Sequence, residues 1–261
     1  FKVIANDTAL DFEKTSGLAA YAKNDVRSFA YNDLRKVVNE SADGDVVAML
    51  ADATVNTKTY TTQNDGYAVL FNVGGKAVTF DLNGKKLSVS AAAADLAAAK
   101  GKMLLSVFSA DLDGDFTITD SSADGSGAVE LAVNDASVYG MFVSESAQSD
   151  KSNSGKLTIN GGCFKTVGNV ANAMFFSDAD KVITINGGNF FCDGVSNAAN
   201  YPWLVNTLGN NELQVVVNGG TFNIDINHQY RPFEVFVPET LAVKSNGNGT
   251  WTIVPAQAYV T

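Results

Sequence analysis

Lys156-Leu157-Thr158-Ile159-Asn160-Gly161 recurs, with conservative changes, as Val182-Ile183-Thr184-Ile185-Asn186-Gly187 and as Gln214-Val215-Val216-Val217-Asn218-Gly219. Each copy alternates apolar and polar residues, which is the period of a β-strand with one buried face. The copies continue into Gly-x-Phe and so place Phe164, Phe190 and Phe222 at equivalent positions. Repeats of this kind indicate a fold of stacked, similar units.

Two earlier stretches align with these copies, Thr79–Gly84 and Asp115–Asp120, and they bring Leu82 and Ile118 level with Ile159. The aligned positions are 36, 41, 26 and 32 residues apart. Constant strand cores at unequal spacing fit a solenoid whose loops differ in length. A second apolar strand is predicted upstream of each copy, and a sixth precedes the C-terminal run; these strands are 68–73, 103–109, 140–144, 173–177, 203–207 and 233–237.

The repeats predict an all-β fold, a single-stranded right-handed parallel β-helix with an N-terminal α-helical cap. Residues 1–45 are expected to form the N-terminal segment and capping helix, and residues 46–261 about six coils. Within the first part we expect helix at Asp25–Glu40 and over 9–23, and a further short helix at 91–100. A β-sandwich is the alternative, because short strands with frequent turns are also typical of that fold.

Stacked coils place like side chains over like, about 4.8 Å apart. The aligned aliphatic residues are therefore expected to form one internal column, and Phe164, Phe190 and Phe222 an aromatic one. The position after the aligned aliphatic residue is asparagine in four of the five copies, and a glycine follows each of these asparagines. We interpret this glycine as a corner that needs a positive φ. The asparagine position predicts a ladder of hydrogen-bonded amides formed by Asn83, Asn160, Asn186 and Asn218.

Composition narrows the classes of partner. The formal net charge is −10 and the isoelectric point is near 4.5, which disfavours nucleic acid and anionic membranes. No apolar stretch approaches the roughly 20 residues that span a bilayer, so no membrane insertion is expected. The chain begins at Phe1, which we interpret as the product of cleavage of a secretion signal. An extracellular or cell-surface location is therefore expected.

Several segments together resemble a group of bacterial surface proteins. They are the helix, Asp-Gly-Asp turn and Val-rich strand of 32–50, the stretch Phe80–Leu87, the Ile-Asn-Gly-Gly-x-Phe copies, and the closing Asn248–Val254. The resemblance spans about residues 26–255 and is to adhesin-like members of the pectate-lyase-type β-helix superfamily. It implies the fold and an adhesive or structural role, although fold alone does not carry function.

Polysaccharide lyases of this fold have an acidic Ca²⁺ site, so the resemblance suggests a search for such a site in this chain. The sequence Asp111-Leu112-Asp113-Gly114-Asp115 offers three alternating carboxylates, Asp111, Asp113 and Asp115, of the kind that a hard cation prefers. It departs from the EF-hand loop, and Asp-Gly is also an ordinary turn. Calcium is the one cofactor considered; otherwise none is expected.

A second polar cluster contains the single histidine of the chain. His228 and Arg231 lie close to Tyr230 in sequence, and a sugar ring could stack on Tyr230 or on Trp203. We favour the simpler interpretation, an exposed turn between two coils. The closely spaced aspartates and Gly-His-Gly of the polygalacturonase pattern are missing from the sequence, and no catalytic residue is assigned.

The register also predicts the state of the two cysteines. Cys163 precedes the inward Phe164 and should point outward, whereas Cys192 lies two residues after the inward Phe190 and should point inward. Side chains on opposite faces do not meet the geometry of a disulfide. Two free thiols are expected.

These patterns favour a non-catalytic structural or adhesive surface protein that assembles with itself through residues 1–24 and the coil ends into a filament or layer. Surface carbohydrate is a second candidate partner. The alternatives are a carbohydrate-active or carbohydrate-binding β-helix protein, which would need an exposed groove with carboxylates and aromatic rings, and a phage fibre or spike, which would form trimers.

Overall fold

The described secondary structure is almost entirely β-strand, arranged in three sheets. The structure, a computed structural model, describes residues 4–5, 19–23, 27–31, 34–56, 61–63, 67–91, 104–110, 113–133, 138–144, 155–168, 174–177, 183–192, 204–206, 215–228 and 235–259.

Sheet A is the largest, with ten strands among the described residues. In spatial order they are β1 (Ile4–Ala5), β3 (Arg27–Tyr31), β2 (Ala19–Lys23), β4 (Asp45–Met49), β8 (Ala77–Asp81), β11 (Asp115–Thr119), β14 (Lys156–Ile159), β17 (Ile183–Ile185), β20 (Val215–Val217) and β22 (Val235–Phe236).

In the part of the chain that the structure describes, sheets B and C have eight and six strands. Sheet B contains, in order, β5 (Ala53–Asn56), β9 (Lys86–Ala91), β12 (Ala128–Val133), β15 (Cys163–Gly168), β18 (Asn189–Phe191), β21 (Thr221–Phe222), β24 (Trp251–Pro255) and β23 (Leu241–Ser245). Sheet C contains β6 (Thr61–Gln63), β7 (Tyr67–Asn72), β10 (Leu104–Ser109), β13 (Val138–Ser144), β16 (Phe175–Ser177) and β19 (Val205–Asn206).

The chain visits the three sheets in rotation. From β4 to β21 the order is A, B, C throughout, if the hairpin β6–β7 is counted as one visit to sheet C. Strands that are neighbours within a sheet are parallel along this whole stretch, apart from that hairpin. An all-β, largely parallel arrangement is therefore established, and it is compatible with a β-helix-like solenoid.

Each sheet ends in antiparallel pairing on at least one side. The strands β1, β3 and β2 close one edge of sheet A, β6 closes one edge of sheet C, and the hairpin β23–β24 closes one edge of sheet B. In each case the outermost strand on that side of the sheet pairs antiparallel with its neighbour.

The predicted N-terminal helix needs correction. Residues 27–31 form the strand β3, which pairs with β2, and the described helix in this region, α1, is restricted to Leu34–Glu40. Residues 19–23 are likewise strand instead of helix. Short apolar runs fit both periods, and here the neighbouring strand decides between them. Ala91 ends β9, and the rest of the helix predicted at 91–100 lies outside the described residues.

Helix α1 is tied to the sheets at its C-terminal end. Its side chains Leu34, Val37 and Val38 are buried in the core. The ammonium of Lys76 donates to the carbonyl of Ser41 at 2.9 Å and to that of Val38 at 3.5 Å. A cation suits these carbonyls, which carry the negative end of the helix dipole. Burial lowers the pKa of Lys76, and the nearby Asp45 carboxylate works against that shift.

The aliphatic column predicted inside the repeats is confirmed for four of its five members. Ile118, Ile159, Ile185 and Val217 are paired in register across sheet A, and all are fully buried. The first copy needs a correction, because Phe80 pairs with Ile118 and Leu82 lies two residues farther along.

The C-terminal strand predicted at 233–237 also belongs elsewhere. We grouped it with the second strands of the repeats, which form sheet C. In the structure its described part, β22, pairs with β20 and extends sheet A. The sequence of an apolar strand does not indicate which sheet the strand joins. The strand at 233–237 was therefore grouped with the others by chain order alone.

Candidate functional site

The outer face of sheet A carries a row of similar side chains in register. The outward residues at the middle of the strands are paired one with the next from β4 to β20, and each is partly exposed. Neighbouring strands in a sheet are about 4.8 Å apart, so the row is a regular array of hydroxyl and methyl groups. We call it the outer threonine row; its members are Val46, Thr79, Thr117, Thr158, Thr184 and Val216.

An amide ladder runs beside this row. The Asn186 side-chain amide donates to the Asn160 side-chain oxygen at 2.9 Å, and the Asn218 amide donates to Asn186 at 2.9 Å. All three side chains are exposed. Their order therefore comes from hydrogen bonds along the stack, in addition to the strand pairing of their backbones.

Asn83 does not belong to this ladder. Because the first copy is shifted by two residues, Asp81 and Thr119 are the residues in register with the amide ladder. Asn83 lies in the turn beyond them, with φ 47°. There its amide donates to the carbonyl of Met49 at 2.9 Å. The mismatch arises because Phe80 and Leu82 are both fully buried, so the alternation of the sequence fits two registers that differ by two residues.

Two columns of phenylalanine fill the interior beneath these surfaces. Phe164, Phe190 and Phe222 are paired in register in sheet B, and their ring centroids are 5.4 Å and 4.9 Å apart in stacked pairs. The second column, in sheet C, was not predicted from the sequence, although its strands were. That column contains Phe71, Phe108, Phe142 and Phe175.

The candidate calcium site is only partly within the described residues. Asp111 lies outside them. Asp113 is in an exposed turn with φ 62°, and Asp115 begins β11 on the outer face of sheet A, in register with Lys156. Among the described residues no group of three acidic, histidine or cysteine side chains is placed to hold a metal ion.

The polar cluster around the histidine is represented by His228 alone, because Trp203, Tyr230 and Arg231 lie outside the described residues. His228 Nδ1 is 2.7 Å from Asp225 Oδ2, and its side chain is 80% exposed. The other Asp225 oxygen accepts from the backbone of Asn227 at 3.0 Å, and His228 N donates to the Asp225 carbonyl at 2.9 Å. These contacts build a surface turn.

The cysteine prediction is confirmed. Both thiols are free, Cys163 being half-buried and Cys192 buried. Burial raises the pKa of the Cys163 thiol, and the nearby Lys165 partly opposes that shift. A raised pKa lowers the fraction of thiolate, the nucleophilic form, at neutral pH.

Asp120 joins three turns at a corner between sheets A and B. Its Oδ1 accepts from the backbone of Gly84 at 2.8 Å and from the Ser122 hydroxyl at 2.8 Å, and its Oδ2 accepts from the backbone of Gly127 at 2.7 Å. Partial burial works to raise the pKa of this carboxyl, but these hydrogen bonds, with a further one from the Ser122 backbone, prevail and hold the pKa below the usual aspartate value.

Replacing Asp120 with asparagine is expected to lower the free energy of unfolding by about 1–2 kcal/mol at pH 7, since hydrogen bonds to a carboxylate are stronger than those to an amide and solvent screens part of the effect. A carboxyl whose pKa is lowered by folding stabilises the fold above its unfolded pKa. That contribution is lost as the pH falls below about 4 towards the folded pKa. Urea denaturation of both proteins at several pH values measures the difference.

The effect of this substitution should therefore shrink at low pH. Glu239→Gln, at an exposed turn position, is the matched control and should differ little from the unmodified protein at any pH. A D120N cost that stays constant from pH 7 to below pH 3 would contradict the assigned role of the Asp120 charge.

Comparisons of the chain with protein-family models, with curated proteins and with solved structures return no match. Within the part of the chain that the structure describes, no helix is long and apolar enough to cross a membrane.

Proposed function

We propose that this chain is a non-catalytic structural or adhesive protein, built as a right-handed parallel β-helix and presented outside the cell. The A, B, C rotation of parallel strands supports the architecture, since a chain that coils through three sheets in a constant order gives this pairing. The column of Ile118, Ile159, Ile185 and Val217 supplies the continuous core that such stacking needs.

One observation carries the functional part, namely the chemistry of the outer threonine row and the amide ladder on sheet A. The outer threonine row and the amide ladder present hydroxyl, methyl and amide groups. These groups neither act as nucleophiles without an adjacent base nor transfer protons near neutral pH. Because backbone pairing fixes their spacing, the face suits contact with an extended surface more than it suits chemistry on one bond.

Self-assembly through residues 1–24 and the coil ends is part of this proposal. The described pieces of that segment, β1 and β2, pair within their own chain in sheet A. A strand already placed at the edge of a sheet can extend that sheet towards a neighbouring copy without first detaching.

A carbohydrate-active protein is the second candidate, and the contact between His228 and Asp225 is the observation that favours it. A carboxylate that holds one imidazole nitrogen leaves the other available for proton transfer. Against this role, the ring is largely exposed and the same aspartate builds the local turn.

The experiment that separates the two candidates is a turnover assay. The purified chain and its His228→Ala variant are incubated with polygalacturonate and with alginate in millimolar CaCl₂, and unsaturated products and new reducing ends are measured. We expect neither protein to exceed a heat-denatured sample. Turnover by the unmodified chain would overturn the non-catalytic assignment, and its loss in H228A would identify the Asp225–His228 turn as the reactive site.

A further inference from the structure

Between β4 and β20 the outer threonine row is the same when it is followed in either direction, and beyond these strands its register continues to unlike residues, Ala22 on β2 and Phe236 on β22. From β4 to β20 it reads Val, Thr, Thr, Thr, Thr, Val, and the midpoint lies between β11 and β14. A two-fold contact between identical chains requires a surface that is complementary to itself. A row that is symmetric about its own centre meets that requirement along one direction.

The charges next to the midpoint have the complementary arrangement. Asp115 begins β11 and Lys156 begins β14, so a negative and a positive side chain lie on opposite sides of the midpoint and in register. Both point to the outer face, as shown by the alternating burial of their strands.

We propose that the outer face of sheet A is a contact surface for a second copy of this chain, related by a two-fold axis that runs parallel to the strands between β11 and β14. Rotation about that axis keeps the strand direction and exchanges β11 with β14. Thr117 then lies over Thr158 of the second copy, Asp115 over Lys156, and Val46 over Val216. This surface differs from residues 1–24 and the coil ends, and the proposal does not depend on them.

The neighbouring row is compatible with the same axis. Thr119 would lie over Asn160 of the second copy, a hydroxyl over an amide. The carboxylate of Asp81, which shares the register of Thr119, is buried and accepts from the backbones of Asn83 and Ser121, so it adds no charge to this row. Like charges across an interface cost several kcal/mol, and this row places none together.

The size of the surface indicates a weak complex. Six strands about 4.8 Å apart, with about four residues each at 3.3 Å per residue, cover roughly 400 Å². Specific, stable complexes bury about 800 Å² on each partner. The association is therefore expected to be reversible and dependent on concentration, but measurable at millimolar protein concentration. In a filament or layer, several such contacts would act together.

The test uses two charge reversals, Asp115→Lys and Lys156→Asp, on the full chain. Each reversal places two like-charged pairs in a symmetric dimer, so each variant alone is expected to weaken self-association at least tenfold. A mixture of the two variants is different, because every Lys of one then faces an Asp of the other. Sedimentation velocity up to millimolar concentration should show that the mixture associates while neither variant does so alone.

Two controls change the net charge equally at exposed positions outside sheet A, namely Glu239→Lys for the first variant and Lys244→Asp for the second. Both should associate like the unmodified chain, and circular dichroism melting checks that all four variants fold. Recovery of association in the mixture supports the proposal. A monomeric unmodified chain at millimolar concentration, single variants that associate normally, or a mixture that stays monomeric would each overturn it.

Discussion

Replacing Phe142 with alanine is expected to lower the free energy of unfolding by about 3–5 kcal/mol. The Phe142 ring is fully buried. It stacks on Phe108 at 5.5 Å and on Phe175 at 5.2 Å in its own column, and it meets Phe164 of the other column edge-on at 4.9 Å. The substitution therefore opens a cavity at the point where the two aromatic columns of sheets B and C touch.

Urea denaturation followed by circular dichroism measures this loss. Phe236→Ala is the matched control, because the Phe236 side chain is 45% exposed on β22 and a surface truncation of this kind should cost about 0.5 kcal/mol or less. Equal midpoints for the two variants would show that Phe142 does not occupy the core position assigned to it. Because a cost of 3–5 kcal/mol is a large part of the stability of a typical domain, F142A should be assayed at low temperature.

The repeats predicted the strand cores because one signal was strong at every copy. From Ile118 onwards, a β-branched residue lies at the same offset before an Asn-Gly or Thr-Asp pair, and in-register stacking follows from that constancy. The first copy lacks such an anchor. Its Asn83-Gly84 pair resembles the later Asn-Gly corners, but the residue in register with Ile118 is Phe80, two residues before Leu82, and only the strand pairing reveals the difference.

Sheet C was harder to interpret from sequence, because its strands do not alternate. Val107 and Phe108 are adjacent and both fully buried, as are Met141 and Phe142. A strand buried on both faces gives a continuous apolar run, and such a run does not tell which residues share a column. The stacked phenylalanines of this sheet were therefore missed, although the strands that carry them had been predicted.

The candidate sites were less predictable than the core, for a related reason. A surface pattern can be recognised only after the register is known, and the symmetry of the outer threonine row appears once Thr79 is placed level with Thr117. Clusters of residues that are close in sequence can be recognised without the register, but they indicate less about function. Asp225 and His228 are close because they share one turn, so their proximity follows from sequence and says little about chemistry.

The structure also changes the explanation of the Asn-Gly-Gly corners. The first glycine of each corner does not have a positive φ; the second does, with φ 111° at Gly188 and 110° at Gly220. The first glycine instead allows close approach of stacked backbones. A Cβ at Gly219 would lie 2.2 Å from the carbonyl oxygen of Asn186, and one at Gly187 would lie 2.8 Å from that of Asn160.

Gly219→Ala is therefore expected to lower the free energy of unfolding by about 3 kcal/mol, the upper end for a side chain that does not fit, because the obstacle is backbone and cannot rotate away. Gly161→Ala is a control at the same position of the motif, where the nearest atom to the new Cβ would be 3.7 Å away. It should be neutral or slightly stabilising, since alanine restricts the unfolded chain. Equal costs in urea denaturation would mean that the corners at Gly161 and Gly219 are packed alike, contrary to the spacing of the stacked backbones. If G219A alone has a large cost, this glycine recurs because successive units make contact there. The same contact between units places the side chains of the core in columns.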